Sequence, residues 1–214
     1  MRLNPYFAFL SVATLISGCH KDSVKIDEQS PNEAPGEHQS LRPENNCNPV
    51  GEVKELTIPG STKTVKVQGS IFCGGNKAGD FGWMIERKEY SNSLFVFNDN
   101  EEQFLAFRKG DRGESGCGEG GNNAKIRKYQ CRIPPRAAGV PTGWQGKGGY
   151  TALDKPTKAH IDRAITYIRN LVLSGTYDTI IFSQEKNKKT LGVGIFSPAA
   201  EVRDYIYNGL MNLF

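Results

Sequence analysis

The sequence predicts an α/β (or α+β) domain in which helices flank a mixed β-sheet. The first observation is the order strand, helix, strand, helix in the C-terminal half, which is typical of helices layered on a sheet. The second is a continuously apolar run, Leu94–Phe97, which indicates a strand buried on both faces. The third is the alternation of apolar and polar residues over 53–73, which predicts a β-hairpin ahead of the α/β part.

The N-terminal hairpin turns at Pro59-Gly60, within the stretch VKELTIPGSTKTVKVQGSIFC. The next stretch, FGWMIERKEYSNSLFVFND (residues 81–99), predicts two more strands that turn at Ser91-Asn92. The α/β part is therefore expected to follow N-terminal β-hairpins.

The clearest helix is predicted within residues 154–175, DKPTKAHIDRAITYIRNLVLSG. Asp154 or Thr157 can cap its start, and Gly175 ends it. Apolar residues recur along it with the helical period: Ile161, Ala164, Ile165, Ile168, Leu171 and Val172.

Two strands and a second helix complete the predicted elements. The strands are Ala137–Pro141 and the buried segment YDTIIFS, residues 177–183. The helix lies in SPAAEVRDYIYNGLMNLF, with Ser197 as its cap and Pro198 in its first turn. Its expected inner face consists of Val202, Tyr205, Ile206, Leu210 and Leu213.

The first residues have the form of a signal segment. Arg2 precedes a mostly apolar run, Phe7–Ile16, which is short for a membrane span and is followed by Ser17-Gly18-Cys19. The string LISGC resembles the lipobox of bacterial lipoprotein signal peptides. This resemblance implies that residues 1–18 are removed and that Cys19 is acylated with palmitate or a similar chain. A secretory peptide without lipid and a retained anchoring helix are the alternatives.

The residues after Cys19 predict a tether and then one globular domain. Residues 19–46 contain three prolines and hardly any apolar residue, so they cannot bury enough surface to order themselves. Residues 47–214 are enough for a single domain with its own core. The predicted location is the bacterial cell envelope, facing the periplasm or the surface, with membrane attachment through Cys19.

Four cysteines remain for the domain once Cys19 is assigned to lipid. An even number in an oxidising compartment predicts two disulfides, for which three connectivities exist. We favour the two pairings that close short local loops, which are Cys47–Cys73 and Cys117–Cys131. A metal site is not expected, because no CxxC spacing occurs and His160 is the only histidine beyond residue 46.

The charge balance indicates an anionic ligand or surface. The chain has 27 basic and 23 acidic residues; 4 basic and 6 acidic ones precede residue 47, which leaves 23 and 17 in the domain. Such an excess attracts anions or lipid headgroups, but it falls short of a nucleic-acid-binding surface. No nucleic-acid partner is therefore expected.

The stretch Gly116–Trp144 is rich in glycine and positive charge. A Walker loop is excluded because no Gly-Lys-Ser/Thr follows the glycines. The literal GxGxxG match at Gly116 does not follow a strand directly, so it does not predict a dinucleotide site. A third interpretation fits better: GGNNAKI and LGVGIF are glycine-containing loops near the ends of two strands, which is how α/β folds hold phosphates.

These motifs together resemble macro domains, and more closely the macro-like proteins of bacteria and phages. The shared order is a strand ending in Asn-x-Asn, a GG loop, GVPTG, and LGVGIF before a terminal helix. The resemblance covers residues 94–214 and leaves residues 47–93 as a hairpin part. It implies a three-layer arrangement.

The resemblance implies a site for ADP-ribose or a similar phosphate-bearing small molecule, without a cofactor. The asparagines of the strand end would face the distal ribose, and the glycines of the two loops would face the ribose and the diphosphate. The aspartate that contacts adenine in macro domains has no clear counterpart. The implied ligand-binding residues are Asn98, Asn100, Gly120, Gly121, Asn122, Arg127, Thr142, Gly192 and Gly194.

A run of basic residues without an acidic one lies between the second pair of cysteines and just beyond it. Its members are Lys125, Arg127, Lys128, Arg132 and Arg136. Arg127 is the best candidate for a phosphate ligand, because arginine offers two parallel donors and this one follows the glycines closely. Basic side chains that are only solvated on a loop are the alternative.

Catalytic chemistry has only one candidate. Asp99, with Glu101 and Glu102 beside it, can supply a general base for hydrolysis, but the sequence favours structural or solvated roles for these carboxylates. Ser183 ends a strand with no usable base apparent, so a serine triad is not expected.

Two functions follow from these observations. The first is an envelope lipoprotein whose macro-like domain binds a phosphate-bearing small molecule. The second is a docking lipoprotein whose basic, disulfide-pinned loop binds a protein, an envelope polymer or an anionic surface. The first requires Asn98, Gly121, Arg127 and Gly194 to meet at one cavity, whereas the second allows them to lie apart.

Overall fold

The structure is a computed structural model that describes residues 47–194 and 197–214. Helices flank a six-stranded mixed sheet, which confirms the predicted α/β class. The strands are β1 (Val50–Thr57), β2 (Thr64–Ser70), β3 (Ser93–Asn100), β4 (Ala137–Trp144), β5 (Gly148–Gly149) and β6 (Thr179–Ser183). The predicted signal segment, Cys19 and the tether lie outside the described residues.

The sheet has the order β1-β2-β6-β3-β4-β5. The four central strands, β2, β6, β3 and β4, are parallel, and β1 and β5 pair antiparallel at the two sides. The carboxyl ends of the parallel strands therefore meet at one edge of the sheet, here called the carboxyl edge, and their amino ends meet at the opposite, amino edge.

Two expectations for the N-terminal part need correction. The hairpin β1–β2 forms, with Gly60 at φ 73° in its turn, but β2 pairs with β6 and so belongs to the main sheet. The second hairpin is wrong, because its first half forms the helix α1 (Phe81–Met84) and a 3₁₀ turn, Lys88–Tyr90. Phe81, Met84 and Ile85 are buried, and their spacing of three and four residues is helical.

One face of the sheet is covered by two long helices, α4 (Lys155–Leu173) and α5 (Ala200–Met211). The predicted helical positions of α4 pack on the sheet, and Asp154 is its N-cap, accepting a hydrogen bond from the Thr157 N–H at 2.9 Å. The four aliphatic residues predicted for the inner face of α5 are fully buried, whereas Tyr205 is half-buried.

The start of α5 differs from the prediction. Ala199 occupies the N-cap and Ser197 makes no cap, because the helix begins two residues later than expected. Pro198 packs so closely against Gly149 that a β-carbon on the glycine would lie 2.3 Å from the proline nitrogen.

The other face carries α1 and a long 3₁₀ helix, Asn122–Cys131. Their side chains form a second cluster with β3, β4 and β6: Phe81, Met84, Ile85, Phe95, Phe97, Ala124, Ile126, Tyr129, Ala137 and Ile181. Helices on both faces give three layers. β3 is buried on both sides over Ser93–Phe97, as its apolar run predicted.

Two short helices and two disulfides complete the fold. The helix α2 (Glu101–Arg108) starts where β3 ends, and α3 (Glu114–Cys117) follows it. Both favoured disulfides, Cys47–Cys73 and Cys117–Cys131, are confirmed. No helix in the described ranges is both long and apolar enough to span a membrane.

Candidate functional site

A cavity of about 280 Å³ opens at the carboxyl edge, beside the end of β3. It brings together the four residues whose convergence the small-molecule hypothesis requires, together with three further predicted ones. Its lining consists of Asn98, Asn100, Gln103, Glu119, Gly120, Gly121, Asn122, Asn123, Ala124, Arg127, Gln145 and Gly194. Of the predicted ligand-binding residues, only Thr142 and Gly192 lie outside this lining.

Asn98 and Asn100 lie two residues apart in β3, so their side chains point to the same face of the strand. Both therefore reach the cavity. The Asn98 Nδ2 donates to the Gly192 carbonyl at 2.8 Å and so joins the end of β3 to the loop after β6. The Asn100 Oδ1 accepts from the Gln103 N–H at 3.0 Å and caps α2. Each asparagine therefore has a structural bond and a place on the cavity wall.

Asp99, the weak catalytic candidate, points away from the cavity. Its side chain is fully buried and accepts from the Arg127 Nε at 3.0 Å and from Nη2 at 2.6 Å. Burial raises the pKa of the Asp99 carboxyl above its ordinary value, against the opposing effect of Arg127. The geometry gives Asp99 the role of holding Arg127.

Arg127 is fixed on a third side by the Gly118 carbonyl, which accepts from Nη1 at 2.9 Å. These contacts use three of its five N–H donors, and no described residue accepts from the other two. The guanidinium sits directly beneath Gly120, where a β-carbon would lie 2.9 Å from Nη2. A glycine at this position thus keeps the backbone in contact with the arginine.

The loop after β6 closes the cavity from the side. Gly194 packs on Asn122 so closely that a β-carbon would lie 2.4 Å from Nδ2. Asn122 itself has φ 48°, a conformation that asparagine tolerates better than most residues. Gly192 is buried against Ser183 and Gln184, and the Thr142 hydroxyl donates to the Asp99 carbonyl at 3.2 Å. These last two residues therefore support the site from behind.

The wall is unusually rich in carboxamides, which both donate and accept hydrogen bonds. Six are present: Asn98, Asn100, Gln103, Asn122, Asn123 and Gln145. Three of them, Gln103, Asn123 and Gln145, were not predicted. The position of Gln103 could have been inferred from the sequence, because it stands in the first turn of the helix that Asn100 caps. The position of Gln145 could not, because only the pairing of β3 with β4 brings it to the cavity.

The backbone adds donors where the 3₁₀ helix begins. The N–H groups of Asn122 and Asn123 make no hydrogen bond to any residue in the described part of the chain. Orphan N–H groups at a helix start are the groups that bind anions in many proteins.

The predicted basic run is largely neutralised by the fold. Carboxylates from elsewhere meet three of its five members: Lys125 lies 3.8 Å from Asp80, Arg127 contacts Asp99, and Lys128 lies 2.6 Å from Glu119. Lys128 also holds the pKa of Glu119 below its ordinary value. Arg132 and Arg136 make no ion pair with a described acid.

A second cavity of about 360 Å³ adjoins the first across Asn122, Asn123 and Gly194, which line both. Its other walls include Phe72, whose side chain is 64% exposed, and Val193. Both cavities therefore lie at the carboxyl edge, side by side.

The remaining titratable candidates do not line the first cavity. Glu101 Oε2 accepts from the Tyr150 hydroxyl at 2.7 Å and lies 3.2 Å from His160 Nδ1. Burial and this hydrogen bond raise the pKa of Tyr150. Glu102 accepts from the Gln145 N–H at 2.8 Å. Within residues 47–194 and 197–214 there is no group of three or more His, Cys, Asp or Glu side chains that could hold a metal ion.

Comparison with known proteins gives no relative on which to base an assignment. The chain matches no family model, no curated protein and no solved structure. The site is therefore interpreted from its own geometry.

Proposed function

We propose that the carboxyl-edge cavity binds a phosphate-bearing small molecule of the ADP-ribose or nucleotide class. The observation that carries this proposal is the meeting of Asn98, Gly121, Arg127 and Gly194 at one concave site. These residues come from three separate segments of the chain.

The carboxamide wall suits the sugar of such a ligand. A hydroxyl group is at once a donor and an acceptor, and so is a carboxamide, which means that several hydroxyls can be satisfied together. The side chain of Asn123 is half-buried on the wall and bonds to no described residue, so it has its whole capacity available to a ligand.

The phosphate has two sets of donors within the same wall. The N–H groups of Asn122 and Asn123 provide backbone donors, and Arg127 retains two guanidinium N–H groups. The adjoining second cavity leaves room for a further part of the ligand past the Asn122–Asn123 segment.

The proposal is for binding rather than for catalysis. Among the described residues, Glu119 is the one carboxylate on the cavity wall, and Lys128 holds it in an ion pair. Hydrolysis would require a general base that reaches the ligand. Incubating the protein with each ligand that binds, followed by product analysis, tests that extension.

The sequence supports placing this domain in the cell envelope as a lipoprotein, anchored through acylated Cys19. Mass spectrometry of the mature protein tests this part of the proposal. An N-terminal peptide that begins at Cys19 and carries acyl mass supports it, whereas an unmodified peptide that retains residues 1–18 contradicts it.

Thermal unfolding and calorimetry with a ligand panel test the binding proposal. The panel contains ADP-ribose, NAD, mononucleotides, sugar phosphates and inorganic phosphate. A ligand at one hundred times its Kd stabilises the folded state by about 2.7 kcal/mol, which raises the Tm by several degrees.

A matched pair of asparagine variants identifies the site. Asn123→Ala should weaken binding about ten-fold, because it removes a side chain of the cavity wall. Asn170→Ala should leave binding unchanged, because Asn170 is exposed on α4, outside the cavity lining. A flat response to the whole panel from folded, disulfide-intact protein would overturn the proposal.

A further inference from the structure

Two pairs of arginines lie away from the cavity, toward the amino edge: Arg132 and Arg136 precede β4, and Arg108 and Arg112 stand at and after the end of α2. Arg136 immediately precedes β4, and its Nη2 donates to the Tyr90 carbonyl just ahead of β3. Arg108 ends α2, which starts at the carboxyl edge and leads away from it. We call Arg108, Arg112, Arg132 and Arg136, together with Ile133, the arginine patch.

Aromatic rings hold three of these guanidinium groups in place. Arg108 lies over the Tyr167 ring at 4.5 Å, Arg112 over Phe107 at 4.4 Å, and Arg132 over Tyr129 at 4.1 Å. Stacking of this kind uses the flat face of the guanidinium and leaves donors on its rim available. The side chains therefore need little further ordering when they bind.

The two segments that carry the arginines are tied to each other. Phe107 and Tyr167 pack edge to face at 5.9 Å, which brings Arg108 and Arg112 side by side. The disulfide Cys117–Cys131 then links the segment after Arg112 to the residue before Arg132. Gln130 Nε2 reinforces this link by donating to the Gly116 carbonyl at 2.7 Å.

The positive charge of the patch is not compensated within the described chain. None of its four arginines makes an ion pair with a described acid, in contrast to Lys125, Arg127 and Lys128 of the neighbouring loop. Asp111 uses one oxygen to accept from the Gly113 N–H at 2.7 Å, and Glu86 raises the pKa of Arg136 without forming an ion pair with it. Burial, followed by repulsion from Arg132, outweighs the effect of Glu86 and lowers the pKa of Arg136 below its ordinary value.

An apolar side chain projects from the same surface. Ile133 is 99% exposed, the most exposed of the large hydrophobic residues described, and it directly follows Arg132. The segment that bears it is secured by the disulfide at Cys131 and by the Tyr177 hydroxyl, which donates to the Pro135 carbonyl. Full exposure of an isoleucine on such an anchored segment has no packing explanation among the described residues.

We propose that the arginine patch docks onto the surface of an anionic phospholipid bilayer. Arginine binds phosphate with two parallel donors, and the headgroup layer is a plane of phosphates to which several arginines can bind at once. The exposed Ile133 side chain enters the boundary between headgroups and acyl chains, where apolar side chains are stabilised. A bilayer fits both features, whereas an acidic polymer in water offers no apolar layer for Ile133.

Vesicle sedimentation with residues 47–214 tests this proposal without the predicted anchor. Every described strand and helix, both core clusters and both disulfides lie in this part, which forms a compact unit of its own. Vesicles of neutral phosphatidylcholine are compared with vesicles that also contain an anionic phospholipid. The protein should sediment with the anionic vesicles at low salt and be released at high salt.

Two triple variants with equal charge loss locate the contact. R108Q/R112Q/R132Q should weaken binding about a hundred-fold, since each arginine near an anionic bilayer contributes about a five-fold factor. K147Q/K186Q/K188Q removes three exposed lysines outside the patch and should weaken binding far less. Ile133→Ser should weaken it roughly ten-fold.

Three results would overturn the proposal. They are equal losses in the two triple variants, no loss in R108Q/R112Q/R132Q, and no binding to anionic vesicles at all. The last result would leave an acidic protein or polymer as the partner. Thermal unfolding of each variant checks that it is folded. Failure of the membrane proposal would leave the ligand-binding proposal untouched, because no residue of the patch lines the cavity.

Discussion

At the scale of single residues, the site depends on a buried ion pair beneath the cavity. Asp99 and Arg127 are 1% and 4% exposed, so both charges have lost most of their water. Desolvation costs more than the attraction between such charges commonly returns, and the raised pKa of Asp99 has this cause. The pair therefore contributes mainly by fixing where the Arg127 donors point.

Removing one charge of this pair should be costly. Asp99→Asn leaves Arg127 buried without a counter-charge, which should lower the free energy of unfolding by about 3–5 kcal/mol in urea unfolding. Glu119→Gln is the matched control, because it breaks an ion pair whose side chains are 48% and 58% exposed and should change stability little. Equal, small effects of the two changes would contradict the burial described for Arg127.

Gly139 supports the same pair through its lack of a side chain. A β-carbon there would lie 2.6 Å from Asp99 Oδ2. Gly139→Ala should therefore destabilise the protein by about 1–3 kcal/mol, as measured by denaturant unfolding. Combined with Asp99→Asn, the two losses should not add, because both changes disturb the Asp99 side chain: one at Oδ1, which faces Arg127, and the other at Oδ2. Strict additivity would show that the clash is relieved elsewhere.

At the scale of elements, α4 depends on its cap. The backbone N–H and the hydroxyl of Thr157 both lower the pKa of Asp154 from its ordinary value of 3.8. A carboxyl with a lowered pKa in the folded state contributes stability above its unfolded pKa and loses it as the pH falls through the folded value. The contribution of this cap is therefore complete at neutral pH.

Substitution of the cap should remove that pH dependence. Asp154→Ala should lower the unfolding midpoint at neutral pH, and its deficit should shrink as the pH falls below about 4. Asp154→Asn keeps a capping oxygen and should lose less at neutral pH. Circular dichroism during urea unfolding at several pH values measures both, and a deficit that does not change with pH would argue against the charged cap.

The two disulfides link segments of the chain that lie outside the strands. Cys117–Cys131 closes a loop of 14 residues and Cys47–Cys73 one of 26. Replacing both cysteines of the shorter bridge by serine should lower stability by about 3 kcal/mol, and the longer bridge should cost about 0.5 kcal/mol more. Guanidinium unfolding of both double variants measures this. Unchanged stability would mean that packing alone holds the segment.

At the scale of the whole molecule, the parallel sheet separates two surfaces. The cavity lies at the carboxyl edge, where the loops after β3 and β6 meet, and the arginine patch lies at the amino edge. The parallel strands run from one edge to the other. The proposed ligand and the proposed membrane contact therefore do not compete for the same surface.

This separation predicts that the two proposed binding events are independent. R108Q/R112Q/R132Q should bind a ligand of the cavity with unchanged affinity, and Asn123→Ala should sediment with anionic vesicles as the unsubstituted protein does. Calorimetry in the presence and absence of vesicles measures any coupling, which linkage requires to be equal in both directions. A change of more than about three-fold in either direction would contradict the separation.

The sequence by itself determined the fold class and most of its elements, because these depend on local periodicity. The apolar run Leu94–Phe97 and the helical period of α4 predicted which residues are buried. The preference for short loops predicted the disulfide pairing. The prediction failed at Phe81–Met84, where four residues are too few for a period to distinguish a helix from a strand.

Only the tertiary structure decided which charges remain available. The acids that neutralise Lys125, Arg127 and Lys128 stand at least nine residues away in the sequence. The segment of Arg108 and Arg112 is linked to that of Arg132 by a disulfide, and packed rings hold Arg108 and Arg112. Charge compensation depends on distances in space, and spacing along the chain does not encode them.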